Sequence, residues 1–176
     1  MVQQMQMQVH LIAALSANNV IGVANELPFW NIPSVLKWFD MNTICGTVIM
    51  GRKTWASLPQ KPLRQRLNIV MTHGHCTAPT HDVVWVNSMR EAMSIAESQY
   101  RPIYIIGGSE IFHEALLRSI VDVLILTRID LEIHHHKTAE IMLPEKKRLV
   151  WRSKEHKEDG IGGWDGIGFK FEIYKL

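Results

Sequence analysis

Short, mostly apolar runs, each the length of one strand and most followed by helix-spaced positions, constrain this chain more than any other feature. Val9-His10-Leu11-Ile12-Ala13-Ala14-Leu15 is the first, and Thr47–Met50, Leu67–Met71, Val83–Val86, Ile103–Ile106 and Val123–Leu126 follow. A strand wetted on one side alternates; a strand apolar at successive positions needs cover on both faces. The cover is written between the runs. Ser34 stands where a cap would precede Val35, Leu36, Trp38 and Phe39 at helical spacing. Ser88 with Glu91 forms a capping box ahead of Met89, Ala92, Met93 and Ala96, and Ser109 opens a third helix through Ile111, Phe112, Ala115 and Leu116. Strands alternating with helices predict crossovers onto a largely parallel sheet. Near Leu149–Lys154 and Phe169–Tyr174 the period falls to two, and Asp159–Gly166 reads as a hairpin loop, so the end of the chain is antiparallel. The fold class is therefore α/β: a three-layer arrangement with a mixed, mostly parallel sheet and flanking helices.

Composition narrows the function. The 176 residues are 47% hydrophobic and carry 19 Lys+Arg against 17 Asp+Glu, a net charge of +2. No basic stripe marks a nucleic-acid face, and Lys146-Lys147-Arg148 reads as a solvated loop or strand edge. No apolar run approaches the ~20 residues of a bilayer span. The Gln/Met-rich start lacks the basic region of a secretory signal and reads as an N-terminal extension (1–8) before one domain (9–176). Cys45 and Cys76 make no disulfide framework and no zinc spacing. A cytoplasmic enzyme is the expectation.

Two strand-to-helix turns suit an anion. Met50 ends a strand and Gly51-Arg52-Lys53-Thr54 opens a short helix; Ile105-Ile106 ends another before Gly107-Gly108-Ser109-Glu110. Helix-start N–H groups and two cations favour a phosphate, and paired glycines let a ligand approach the backbone. Either turn alone is also an ordinary turn; together they suggest a nucleotide pyrophosphate.

Further motifs specify more. Leu11–Leu15, Val20-Ile21-Gly22, Leu27-Pro28 and Trp30-Asn31-Ile32-Pro33 are followed in order by Leu36-Lys37-Trp38-Phe39 and Val48-Ile49-Met50-Gly51-Arg52-Lys53-Thr54-Trp55. Ile105–Gly108 and Leu126-Thr127-Arg128-Ile129 complete the series. Collinear from residue 9 to about 175, these motifs resemble dihydrofolate reductase. The resemblance implies an eight-stranded sheet with four helices, a monomer, and a small-molecule substrate, dihydrofolate. It implies NADPH along Ala14, Ile21, Gly51, Thr54, Ile106, Gly107, Gly108, Ser109 and Glu110. Arg52 and Lys53, with Thr72 or His73, would hold the adenosine 2′-phosphate, favouring NADPH over NADH. The pterin would lie among Ile12, Ala13, Leu27, Leu36, Phe39, Leu58, Leu63, Ile106 and Phe112. Arg66 would grip the substrate's glutamate carboxylate bidentately. Thr127 would hydrogen-bond beneath the pterin, and Leu27 and Trp30 would border the reacting centre.

One departure concerns the chemistry. The family has an acid just before Leu36, where it favours protonation of N5 as hydride reaches C6. Anchoring on Leu36-Lys37-Trp38-Phe39 places Val35 there; matching Phe29 instead of Trp30 to the family tryptophan places Ser34 there. Neither is a carboxylate. Asp40 lies about 140° from Val35 around a helix and is expected to face elsewhere. Glu26, in the loop lengthened by Pro28-Phe29-Trp30, is a candidate substitute, with a solvated loop glutamate as the plainer reading. A neutral site implies a reductase that is slow near neutral pH and less sensitive to diaminopyrimidine antifolates. A second departure is Ile133–Pro144, with Glu140 at the usual acidic position of a loop that latches the closing loop. Its His134-His135-His136 invites a metal, but on a strand neighbouring histidines point to opposite faces, and a solvated loop is the plainer reading. The alternatives are a same-fold reductase of another pterin or aminopyrimidine, and a non-catalytic NADPH- or folate-binding relative.

Overall fold

A computed structural model describes residues 7–24, 31–74, 80–160 and 164–176. In chain order the elements are β1 (Val9–Leu15), β2 (Val20–Val23), α1 (Pro33–Thr43), β3 (Thr47–Gly51), α2 (Arg52–Ser57), β4 (Leu67–Met71), β5 (Val83–Val86) and α3 (Met89–Ser98). They continue with β6 (Ile103–Gly107), α4 (Ser109–Leu117), β7 (Val123–Ile129), β8 (Thr138–Glu140), β9 (Arg148–Arg152), β10 (His156–Gly160) and β11 (Trp164–Lys175). The main sheet runs β10-β11-β7-β1-β6-β3-β4-β5, parallel from β7 to β5 and antiparallel where β11 meets its neighbours. The α/β class with a mostly parallel mixed sheet is the one the apolar runs predict, and its eight positions are the number the resemblance implies.

Both faces are covered, as those runs require. Leu11, Leu15, Ile49, Ile69, Ile105, Leu124 and Leu126 pack on one face with Met89, Ala92 and Ala96 of α3 and Ala115 of α4. Ile12, Val48, Met50, Val70 and Ile125 point the other way, toward Trp38, Phe39 and Trp55 of α1 and α2. Each fully buried Leu or Ile contributes about 1.5–3 kcal/mol against exposure, so this double burial outweighs any local preference along the strands. α3 starts as its sequence directs: Ser88 accepts from the Glu91 N–H at 3.2 Å, and Glu91 accepts from Asn87 N–H at 3.1 Å.

Three details differ from the sequence reading. Ser34 does not cap α1; the cap position is Ile32 and Pro33 opens the helix. A proline loses nothing there, since a first-turn N–H has no intrahelical acceptor. β2 and β8 pair antiparallel outside the main sheet, and Ala24 N–H donates to Lys137 O at 2.9 Å. At four and three residues they are too short to register as a pattern. Finally, β9 and β10 share the outer edge of the long β11, which adds a strand without adding a sheet position. Lys146-Lys147-Arg148 leads onto that edge, where cations discourage further strand addition. Residues 161–163 of the hairpin loop and 1–6 of the N-terminal extension lie outside the described residues. No described helix is long and apolar enough to cross a membrane.

Candidate active site

The carboxyl ends of β1, β3, β4 and β6 open into a cleft of about 1710 Å³, with α1 as its opposite wall. Crevices at that end of an open α/β sheet, where strand order reverses, are where such folds bind ligands. The two glycine turns meet there because β3 and β6 are parallel neighbours, with Met50 opposite Gly107. A Cβ on Gly108 would sit 3.4 Å from the Thr54 hydroxyl, and one on Gly51 3.2 Å from Ile111. Gly107 has φ +110°, and the Gly107–Gly108 peptide is cis. A Cβ on Gly107 would come within 3.2 Å of the Phe112 ring, itself 2% exposed beneath the turn. Gly107→Ala combines a left-handed backbone with that clash, so a loss of about 2–3 kcal/mol is expected. A thermal melt checks it; a Tm within a degree of the parent contradicts it.

Arg52 and Lys53 are exposed on the cleft and form no ion pair among the described residues. Thr72 and His73 line the same end. The Thr72 oxygen accepts from Gly74 N–H at 3.1 Å, which leaves its O–H as a donor. Asn87 and Ser88 also border this end; the capping box marks Ser88 as a helix start, and no motif marks either as a binding residue.

The middle of the cleft is apolar, lined by Ile12, Ala14, Leu36, Phe39, Leu58 and Leu63, with Thr127 at its base. Val35 lines it too and is 7% exposed, packed with Val20, Ile32, Ile129 and Phe171. Ser34 is exposed and outside the lining. Packing of Val35 against β7 and β11 therefore decides how α1 is rotated, and leaves no carboxylate on its cleft face beside Leu36. Trp38, one turn on, stacks on Phe171 at 4.5 Å, and its Nε1 is buried without a partner among the described residues.

Residues 8–176 match the family model for dihydrofolate reductase. A dihydrofolate reductase of Buchnera aphidicola from Acyrthosiphon pisum is 37% identical over 169 residues, covering 95% of this chain and 98% of its own length. That of the Schizaphis graminum symbiont is 41% identical over 171 residues, with 95% and 98% covered. The Neisseria gonorrhoeae enzyme is 32% identical over 170 residues, with 96% and 98% covered. The chain belongs to the dihydrofolate reductase family.

Of the site residues the family pattern marks, Ala13, Ile21, Gly51, Ile106, Ser109, Glu110 and Phe112 also line the cleft, whereas Gly107 is buried behind it. Glu26, Leu27 and Trp30 lie outside the described residues. The structure adds partners to Arg66 and brings Asp40 to the cleft. Arg66 is not a free fork: its Nε donates to Arg64 O at 3.0 Å, and its Nη1 to Asp40 Oδ1 at 2.9 Å and Thr43 Oγ1 at 2.7 Å. Asp40, expected to face away, lies on the cleft at the far end of α1 from Val35. Helical angle alone could not show this, because its partner stands 26 residues away. The histidines take the solvated-loop reading rather than the strand one. They lie in the connection and turn before β8, not on a strand, so His135 and His136 stack at 4.3 Å on the same side. His134 pairs with Glu132, and among the described residues no three His, Cys, Asp or Glu side chains come together to hold a metal. Glu140 sits in β8 opposite Val20 of β2, placing the Ile133–Pro144 loop against the strand that leads toward residues 25–30.

Proposed function

We propose that this member of the family reduces 7,8-dihydrofolate to tetrahydrofolate with NADPH, as a cytoplasmic monomer, from a pterin site without its usual carboxylate. One observation carries the reading: a continuous cleft with cations at both ends, Arg52–Lys53 and Arg66, and an apolar middle between them. That is the charge pattern of a dinucleotide phosphate and a folate laid end to end.

The residues fit the cofactor. Gly108 borders a cradle that a Cβ would narrow toward the Thr54 hydroxyl, and among the described residues Arg52, Lys53 and the Thr72 O–H are unclaimed donors suited to a 2′-phosphate. NADPH, when bound, supplies hydride. The chain's own residues orient and exclude water: Ile12, Leu36, Phe39 and Leu58 enclose the pterin, and Thr127 supplies a hydroxyl at its base. None of them, and not Val35, can deliver a proton to N5. Protonation then comes from solvent, and the reactive fraction of substrate falls as pH rises.

Initial rates of NADPH oxidation with dihydrofolate between pH 5 and 9 test this. The expected profile climbs toward acid, by up to about tenfold per pH unit in its steep region. No oxidation above the folate-free background at any pH overturns the reading. The same site should bind protonated diaminopyrimidines weakly, since the charge-assisted pair that favours them, worth roughly 1.5–3 kcal/mol, is missing. An inhibition constant about ten- to a hundredfold above that of an acid-bearing relative is expected; equal constants would contradict it.

A further inference from the structure

Arg66 is 7% exposed, and a guanidinium so placed needs partners on the protein itself. It has them. A guanidinium carries one N–H on Nε and two on each Nη. The Nε hydrogen goes to Arg64 O, and the two Nη1 hydrogens serve Asp40 and Thr43. Only Nη2 is without a hydrogen bond among the described residues.

A carboxylate gripped in the parallel two-point manner needs hydrogens on two adjacent nitrogens. Nη2 provides one; the other has to come from Nε or Nη1. Arg64 O is a backbone group, and Thr43 is fully buried with its own hydroxyl donating to Phe39 O at 2.8 Å. Asp40 is different. Its side chain is 62% exposed on the cleft and can swing into water. Of the three partners, it is the one that yields.

We propose that Asp40 is a specificity-determining residue, an internal carboxylate seated on Arg66 that a ligand's tail carboxylate has to displace. The inference rests on the folate reading of this cleft. In the free enzyme Asp40 neutralises Arg66; against a tailed substrate it competes for the same hydrogens. The enzyme therefore gains less from a glutamate tail than an uncontested arginine would provide, and pterins without a tail are handicapped less.

The test compares 7,8-dihydrofolate with tail-less 6-methyl-7,8-dihydropterin in the parent, Asp40→Asn and Asp40→Ala. The ratio of the two kcat/KM values is expected to rise roughly three- to tenfold in both variants, through KM for dihydrofolate. Arg66→Leu should bring the ratio down. A ratio that stays constant or falls on removing Asp40 overturns the proposal, the fall showing that Asp40 holds Arg66 in its binding pose. Should neither substrate be turned over by any variant, the reductase reading fails. The Kd ratio of folate to 6-methylpterin, by tryptophan quenching, then decides the Asp40 assignment separately.

Discussion

Val35→Asp is expected to raise dihydrofolate reduction at pH 7 by about a hundredfold or more, within the ~10²–10⁴ range of general acid–base assistance. The new carboxylate would enter the apolar cluster of Val20, Ile32, Ile129 and Phe171, where desolvation lifts its pKa. It would also stand three residues before Trp38, on the same helix face, within the setting of an Nε1–H that lacks an acceptor. The fold-gain should therefore be largest near neutral pH and shrink in acid, where the parent's solvent-fed rate climbs while the variant's levels off. Burying the carboxylate costs about 1–3 kcal/mol of stability, which a urea titration reads independently. Val35→Asn, polar but without a titrating proton, should recover little of the rate. A parent that is already fast and flat with pH, unchanged by Val35→Asp, would place the proton source elsewhere, with Glu26 the next residue to change.

Glu172→Ala should lower stability by about 3 kcal/mol, because it strips a carboxylate from several donors at once. Glu172 is 2% exposed on β11 and accepts from Tyr174 Oη at 2.7 Å, Arg152 Nε at 2.7 Å and Arg128 Nε at 3.4 Å. Arg128 in turn donates to Asn19 Oδ1 at 2.8 Å, tying β7 to the turn before β2. Arg152 is half-exposed and screened, so most of the loss comes from Tyr174 and Arg128. Burial alone would raise the Glu172 pKa, but the Tyr174 hydroxyl and the two arginines outweigh it and hold the carboxyl below its ordinary range. A group depressed on folding stabilises fully above its unfolded pKa and loses that contribution as pH falls through the folded one. The parent should thus weaken below the ordinary glutamate range, and Glu172→Ala should show a flatter acid limb. Thermal melts at pH 7 should separate parent and variant by about 6–12 °C; coincident curves at neutral and acid pH would refute the network.

The central strands were legible because their information is local. Runs such as Leu67–Met71 are apolar at all but one position and favour a strand covered twice, and Ser88 with Glu91 satisfies its helix start within one turn. The glycine turns were legible for a similar reason: Gly107 needs a backbone that other residues resist. Where the answer lay in distant packing, the residues alone said less. The register of Leu36-Lys37-Trp38-Phe39 favours Val35 over Ser34 on the cleft, but the rotation of α1 itself came from packing Val35 against strands far along the chain. Asp40 and Glu172 followed the same rule, each a charged residue in a patterned segment whose meaning lies in its partner. Arg66 meets Asp40 across 26 positions and Arg128 meets Glu172 across 44. The amino-acid sequence by itself determined the layered sheet and its glycine turns, because hydrophobic periodicity and backbone sterics act within a few residues. Only the tertiary structure decided which arginine hydrogens remain for a ligand, because a guanidinium's free donors depend on which distant groups the fold sets against it.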